Sequence, residues 1–159
     1  MACDRSQLNV ISFNMHGFNQ GFSAIDHLIK CDAPDICLLQ EHWLTHSNMD
    51  NFDKFFQTFF SYICSAMRKQ VDSGILRGRP FGGVVTLINN RLRSITETIC
   101  CDERYSIVRV ANYFIVNVYL PCVGTSDRLL ICDDMFGNIL AWRERVRVNV
   151  SSLVTLMLT

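Results

Sequence analysis

Charge is scarce in this chain. Fifteen Lys+Arg and fifteen Asp+Glu make up 19% of 159 residues and cancel to a net charge of zero, against about 25% charged residues in an ordinary globular domain. A molecule-wide polyelectrolyte surface is therefore excluded, and so is intrinsic disorder, which needs low hydrophobicity and high net charge; 49% of the chain is hydrophobic. Long apolar runs are also missing. None approaches the roughly 18 residues of a membrane span, and the opening Met1-Ala2-Cys3-Asp4-Arg5 lacks the charged-then-apolar layout of a secretion signal. The expectation is an intracellular protein, nuclear or cytoplasmic, neither secreted nor membrane-bound. There are eight cysteines, yet no CxxC and no zinc-ligand spacing. Without a secretory signal they are expected to be free thiols with no disulfide partner, Cys37 and Cys132 acting as small buried apolar groups. Oligomeric state leaves no trace in the sequence.

What is present is an alternation of strand and helix patterns without repeats or linkers, about the length of one domain. Leu8–Asn14 alternates apolar and polar residues and predicts a strand. Phe22–Cys31 puts Phe22, Ile25, Leu28 and Ile29 on one helical face. Pro34 ends that helix, and Asp35–Gln40 is a near-continuous apolar strand. Together these three segments form a βαβ-type opening. The aromatic-rich segment Phe52–Tyr62 predicts a short helix leading into a strand over Tyr62–Met67, and Gln70–Pro80 an exposed loop. Gly82–Ile88, Ser94–Ile99, Ser106–Ala111 and Tyr113–Leu120 then follow as a meander of antiparallel strands, closed by Pro121. Ser126–Arg145 predicts a helix capped by Thr125 or Ser126, with Asp127 in its first turn. Its buried stripe is expected to be Leu129, Cys132, Phe136, Ile139 and Leu140.

Chemistry is expected where polar residues close apolar strands. Asn14 ends the first strand, Gln40-Glu41 the second, and Asn117 with Tyr119 the strand before Pro121. Such ends converge on one rim of a sheet, where α/β enzymes place their sites. A carboxylate directly after Ile36-Cys37-Leu38-Leu39 is costly there unless solvated, paired or metal-bound. Spacing alone leaves Glu41 open as a solvated loop acid and Asn14 as a turn residue.

The strings SFNMHGFNQG (Ser12–Gly21), DICLLQEHWL (Asp35–Leu44), GGVV (Gly82–Val85) and FIVNVYLP (Phe114–Pro121) decide between these readings. In order and spacing they resemble the endonuclease/exonuclease/phosphatase superfamily, closest to the endonuclease domain of non-LTR retrotransposons, over about Leu8 to Arg145. The resemblance implies an α/β (α+β-like) two-layer β-sandwich flanked by helices, DNase I-like and incomplete at the C-terminus, that cleaves phosphodiesters with Mg²⁺ (or Mn²⁺). By matching motif, Glu41 is the metal ligand, Asn14 orders the metal and nucleophile side, and Tyr119 donates to the scissile phosphate. Gln40 and Asn117 support them from behind. A lone acid suffices for Mg²⁺, which takes one or two carboxylates plus waters and substrate phosphate. The implied partner is the DNA phosphate backbone. Arg77 and Arg79, in a basic stretch that runs from Ala66 to Arg93 and also holds Arg68, Lys69, Arg91 and Arg93, are the candidate backbone contacts.

Two departures qualify the resemblance. Abasic-site nucleases of the superfamily carry an acid where this chain has His16, which reads as a rim residue. The later Gly-Asp-x-Asn and Ser-Asp-His motifs are absent, and Val146–Thr159 holds no Asp, Glu or His. Codons for Ser152–Thr159 exist that, read in the neighbouring frame, spell Ala-Gly-Asp-Phe-Asn-Val-Asn. The expected organisation is therefore a partial superfamily domain over 1–145 and an aberrant, frame-shifted tail over 146–159; a genuine apolar strand over Leu153–Leu158 is the alternative. The expected function is a truncated, inactive retrotransposon-type endonuclease fragment. The alternatives are another phosphodiesterase or phosphatase of the superfamily, or a non-catalytic remnant or binding module.

Overall fold

A computed structural model describes residues 7–66, 74 and 81–146, and the backbone of 153–158. Strand β1 (Val10–Asn14) leads through helix α1 (Phe18–Asp32) to β2 (Ile36–Gln40), and the two strands pair in parallel from Val10↔Ile36 to Asn14↔Gln40. This is the expected βαβ opening, except that α1 starts four residues before the predicted Phe22. Phe18 already belongs to its buried face with Gly21 and Ile25. After a 3₁₀ turn at His46–Asn48, the short helix α2 (Asn51–Phe55) stops early. The Phe59 amide then donates to the Phe56 carbonyl at 2.8 Å, and β3 runs over Phe59–Cys64 rather than Tyr62–Met67. Period-two alternation explains the shift. Phe59 faces the cluster beneath α1 and α2, while Phe60 faces the opposite side.

The next strand corrects the expected four-strand meander. Strand β4 (Val84–Asn89) inserts between β2 and β3, antiparallel to both, and closes a sheet of order β1-β2-β4-β3. After a 3₁₀ segment at Asn90–Ile95 the chain crosses to a second sheet. Only β5 (Thr96–Cys101), β6 (Tyr105–Val110) and β7 (Tyr113–Tyr119) form a meander. Helix α3 (Arg128–Val146) follows, and β8 (Leu153–Leu158) pairs in parallel with β7 at the edge, giving the order β5-β6-β7-β8. The tail thus contributes a strand over Leu153–Leu158.

Three apolar layers hold the sandwich. Ile36, Leu38, Phe60 and Ile88 of the first sheet meet Val108, Val110 and Ile115 of the second between the sheets. Cys37, Leu39, Val85 and Leu87 face α1 and α2, and Ile107, Phe114, Val116 and Val118 face α3. Each fully buried side chain of this kind stabilises the fold by roughly 1.5–3 kcal/mol. The stripe of α3 is rotated from the expected one. Met135 and Ile139 are buried with Phe136, Trp142 and Val146 packed beside them, whereas Leu129 and Leu140 are 75% and 52% exposed. Cys132 is only half-buried, while Cys37 is fully buried as expected. Asp127, with φ 57°, precedes the helix and its carbonyl accepts from the Ile131 amide, so Thr125 and Ser126 lie upstream of the cap position.

The expectation that no cysteine has a disulfide partner is also corrected. Cys64 at the end of β3 and Cys101 at the end of β5 are bonded, with Cα atoms 6.1 Å apart. The two residues are separated by 37 positions. They meet because β3 and β5 lie against each other across the two sheets, a proximity that spacing in the sequence does not encode.

Candidate functional site

The ends of β1, β2 and β7 and the start of β4 form one rim. The backbone holds it shut: Met15 N–H donates to the Gln40 carbonyl (2.8 Å), Gly17 N–H to Glu41 (2.7 Å), Phe18 N–H to His42 (2.9 Å) and Glu41 N–H to Gly83 (2.9 Å). Trp43 N–H donates to the Gly82 carbonyl at 3.1 Å. These bonds impose left-handed conformations on three residues with side chains, His16 (φ 51°), Glu41 (φ 55°) and Trp43 (φ 56°). Strain of this kind persists where the surroundings over-determine it, and it concentrates at functional sites.

Asn14 and Glu41 are in contact. Asn14 Nδ2 donates to Glu41 Oε1 at 2.9 Å, and Asn14 Oδ1 accepts from the His16 amide at 3.0 Å. The Glu41 side chain is 15% exposed, and its Oε2 lies 3.7 Å from Nδ1 of the 72%-exposed His16. One oxygen of the carboxylate is thus hydrogen-bonded by the Asn14 amide, which offsets part of the cost of an acid directly after four apolar residues. Tyr119 stands close enough to feel that charge. Its hydroxyl is held well above the usual tyrosine range, first by burial, then by repulsion from Glu41 and by Cys122, with Arg104 acting in the opposite direction. Tyr119 therefore keeps its proton at neutral pH and is a hydrogen-bond donor. Its present neighbour is Cys122 Sγ at 3.9 Å.

Behind the rim, Gln40 and Asn117 join the two sheets. Gln40 Nε2 donates to Asn117 Oδ1 at 2.6 Å and reaches Ser12 Oγ at 3.3 Å. Asn117 Nδ2 donates to the Val85 and Leu39 carbonyls at 3.0 and 3.2 Å. Both residues are completely buried, so the strand carrying Glu41 is tied to the strand carrying Tyr119. Arg77 and Arg79, the candidate backbone contacts, lie outside the described residues.

Three neighbours carried no signal as site residues in the sequence. His42 is fully buried; its Nδ1 accepts from the Leu44 amide and its Nε2 bonds the Cys64 carbonyl, both at 3.0 Å. Burial pulls its pKa from 6.5 down to about 4, against the opposing Cys64 bond, so it is neutral. Gly83 leaves room for it, since a Cβ there would sit 2.4 Å from His42 Nε2. Arg104, in the turn before β6, places its guanidinium carbon 5.4 Å from the centre of the Tyr119 ring. A turn arginine has no periodicity to mark it.

Among the described residues no group of three or more His, Cys, Asp or Glu could form a metal cage. The atoms that could ligate are the carboxylate oxygens of Glu41 and the amide oxygen of Asn14, all oxygen. That suits a hard cation that keeps its waters and fits poorly with a zinc cage. No helix is long and apolar enough to cross a membrane among the described residues.

No protein-family model matches the chain, and no curated protein matches it in sequence. Solved structures do match. A 3′ phosphatase from Neisseria bound to product DNA hairpin is 13% identical with a TM-score of 0.64, over 95% of this chain and 57% of its own. An AP endonuclease from Leishmania major is 14% identical with a TM-score of 0.67, over 94% and 54%. The human Nocturnin catalytic domain is 11% identical with a TM-score of 0.61, over 94% and 62%. The chain spans a little over half the length of these structures. At such identities the likeness concerns architecture: the chain has the two-sheet, helix-flanked DNase I-like fold that these structures share.

Proposed function

We propose that the rim formed by Asn14, Glu41 and Tyr119 is the metal- and phosphate-binding part of a phosphodiester-cleaving site, of the DNA endonuclease type found in non-LTR retrotransposons. The observation that carries this reading is the Asn14–Glu41 hydrogen bond of 2.9 Å, on turns bonded to Gly82, which lies against the Tyr119 ring. Glu41, with Asn14 beside it, would hold Mg²⁺ or Mn²⁺, and the bound cation would supply charge stabilisation at a phosphoryl oxygen. Asn14 fixes one carboxylate oxygen of Glu41, and the other, Oε2, lies 3.7 Å from Nδ1 of the exposed His16. Tyr119 offers its O–H to a phosphate oxygen, and Gln40 and Asn117 keep the two halves in register. DNA is the proposed partner, by the similarity of the chain to the retrotransposon domain in its motifs. It is consistent with this that the matching structure from Neisseria is bound to product DNA hairpin.

Residues 1–145 are proposed as the part of the domain that carries this site, and 146–159 as the frame-shifted continuation. The Gly-Asp-x-Asn and Ser-Asp-His motifs are not within the 159 residues. A positioned acid or base contributes about 10²–10⁴ in rate and a preorganised donor about 10²–10³. The role proposed for these 159 residues is therefore confined to binding metal and phosphate at the rim. Restoring the alternative frame after Arg145 and assaying plasmid nicking with Mg²⁺ tests the reading. Nicking that Glu41→Gln abolishes supports it; equal nicking by Glu41→Gln places the metal elsewhere. Codons for Ser152–Thr159 that do not spell Gly-Asp-Phe-Asn in the neighbouring frame reject the frame shift.

A further inference from the structure

Two aromatic rings stand beside Glu41, those of His16 and Trp43. His16 follows the Asn14 strand and is 72% exposed, and its ring centre lies 5.0 Å from that of Trp43 at an interplanar angle of 55°. Trp43, a half-buried residue, belongs to none of the apolar clusters that hold the described fold. A tryptophan is among the largest apolar groups a chain can bury, so its place outside the core needs a reason. Both residues are held in the left-handed region, a conformation costly for side chains of this size. Gly17 is shaped to the arrangement: a Cβ there would sit 2.7 Å from Trp43 Cε3, and its own φ is 98°. The backbone bonds of Gly17 to Glu41 and of Trp43 to Gly82 lock the two rings to the same turns that present the carboxylate.

Resting on the phosphodiester reading of this rim, we infer that His16 and Trp43 form a stacking subsite for the nucleobase next to the phosphate bound at Glu41 and Tyr119. The substrate class is then a nucleic-acid strand, since a lipid or inositol phosphate offers no π-face. Stacking on such a platform tolerates any base, so the subsite would position the strand without reading its sequence. Trp43 and His16 are positioning residues in this scheme.

The fluorescence of Trp43 tests the inference without turnover. The chain has two tryptophans, and replacing the other, Trp142→Phe, leaves Trp43 as the reporter. The probes are an oligothymidylate and an abasic strand of the same length, which share their phosphates, titrated with Mg²⁺ present. The base-bearing strand is expected to quench Trp43 and to bind about ten-fold tighter or more than the abasic strand. His16→Ala is expected to bring the ratio of the two affinities, base-bearing over abasic, down toward one, whatever its effect on the affinity for the abasic strand itself. Because His16 is exposed, this variant keeps the test valid should Trp43→Leu fail to fold. Equal affinity and equal quenching by the two strands would overturn the subsite alone, and so would a preference that survives His16→Ala undiminished. Failure of both strands to bind would overturn the phosphodiester reading and the subsite together.

Discussion

Gly83→Ala is the substitution whose effect follows most directly from the packing of the rim. Gly83 has φ 86°, and a methyl group on it would lie 2.4 Å from Nε2, 2.7 Å from Cε1 and 2.9 Å from Cδ2 of His42. The imidazole cannot retreat freely. Its two nitrogens are bonded to Leu44 N–H and the Cys64 carbonyl, and its face meets the edge of Phe52 at 5.8 Å. Holding alanine in the left-handed region costs about 1–2 kcal/mol. Displacing His42 strands a buried donor or acceptor for a further roughly 1–3 kcal/mol. The expected loss is about 2–5 kcal/mol, a large share of the 5–15 kcal/mol typical of a folded domain. Urea unfolding followed by circular dichroism measures it. Gly137→Ala is the control of opposite sign: it lies inside α3 with nothing within 4 Å of a new Cβ, and should gain up to about 1 kcal/mol. A Gly83→Ala protein within about 1 kcal/mol of the parent would refute this account of the Gly83–His42 contact.

Asn117→Ala removes the partner of Gln40 Nε2 and two bonds to backbone carbonyls inside the sandwich. It should cost about 2–4 kcal/mol, read as a lowered melting temperature; an unchanged melt contradicts the inter-sheet tie. His42 gives a pH dependence. Its folded pKa, about 4, lies below the 6.5 of the unfolded chain, so the unfolded state takes up the proton first as pH falls. The stability linked to neutral His42 is fully present above 6.5 and declines by about 1.4 kcal/mol per pH unit down to about 4. Subtracting the pH–stability curve of His42→Gln isolates this slope, and a flat difference between pH 6.5 and 4 argues against a buried neutral imidazole.

Much of the architecture is legible from local pattern. The parallel β1-α1-β2 opening follows from alternation and an apolar face, because each element buries the side its own period defines. What local pattern misses is pairing. Nothing in Gly82–Ile88 says that β4 belongs with β2 and β3 rather than with the strands after it, since all of these are apolar runs between turns. The α3 stripe is misplaced because Leu129 and Leu140 are as apolar as Met135 and Ile139, and the facing sheet decides which are covered. At the rim, the convergence of Asn14, Gln40-Glu41 and Tyr119 is readable from their places at strand ends. The roles of His42 and Arg104, and the Cys64–Cys101 bond, arise from residues distant in the chain that the two sheets bring together.

The central claim is that a divalent cation docks on Glu41 at the rim shared with Asn14 and Tyr119. Titration of the isotope-labelled chain with Mn²⁺ measures this directly, through paramagnetic broadening of backbone amide signals. The account predicts that Asn14, Glu41 and Tyr119 broaden first, that Ile139 in α3 stays sharp, that excess Mg²⁺ restores the lost signals, and that Glu41→Gln abolishes the pattern. Broadening centred away from these three residues, or unchanged in Glu41→Gln, would contradict it.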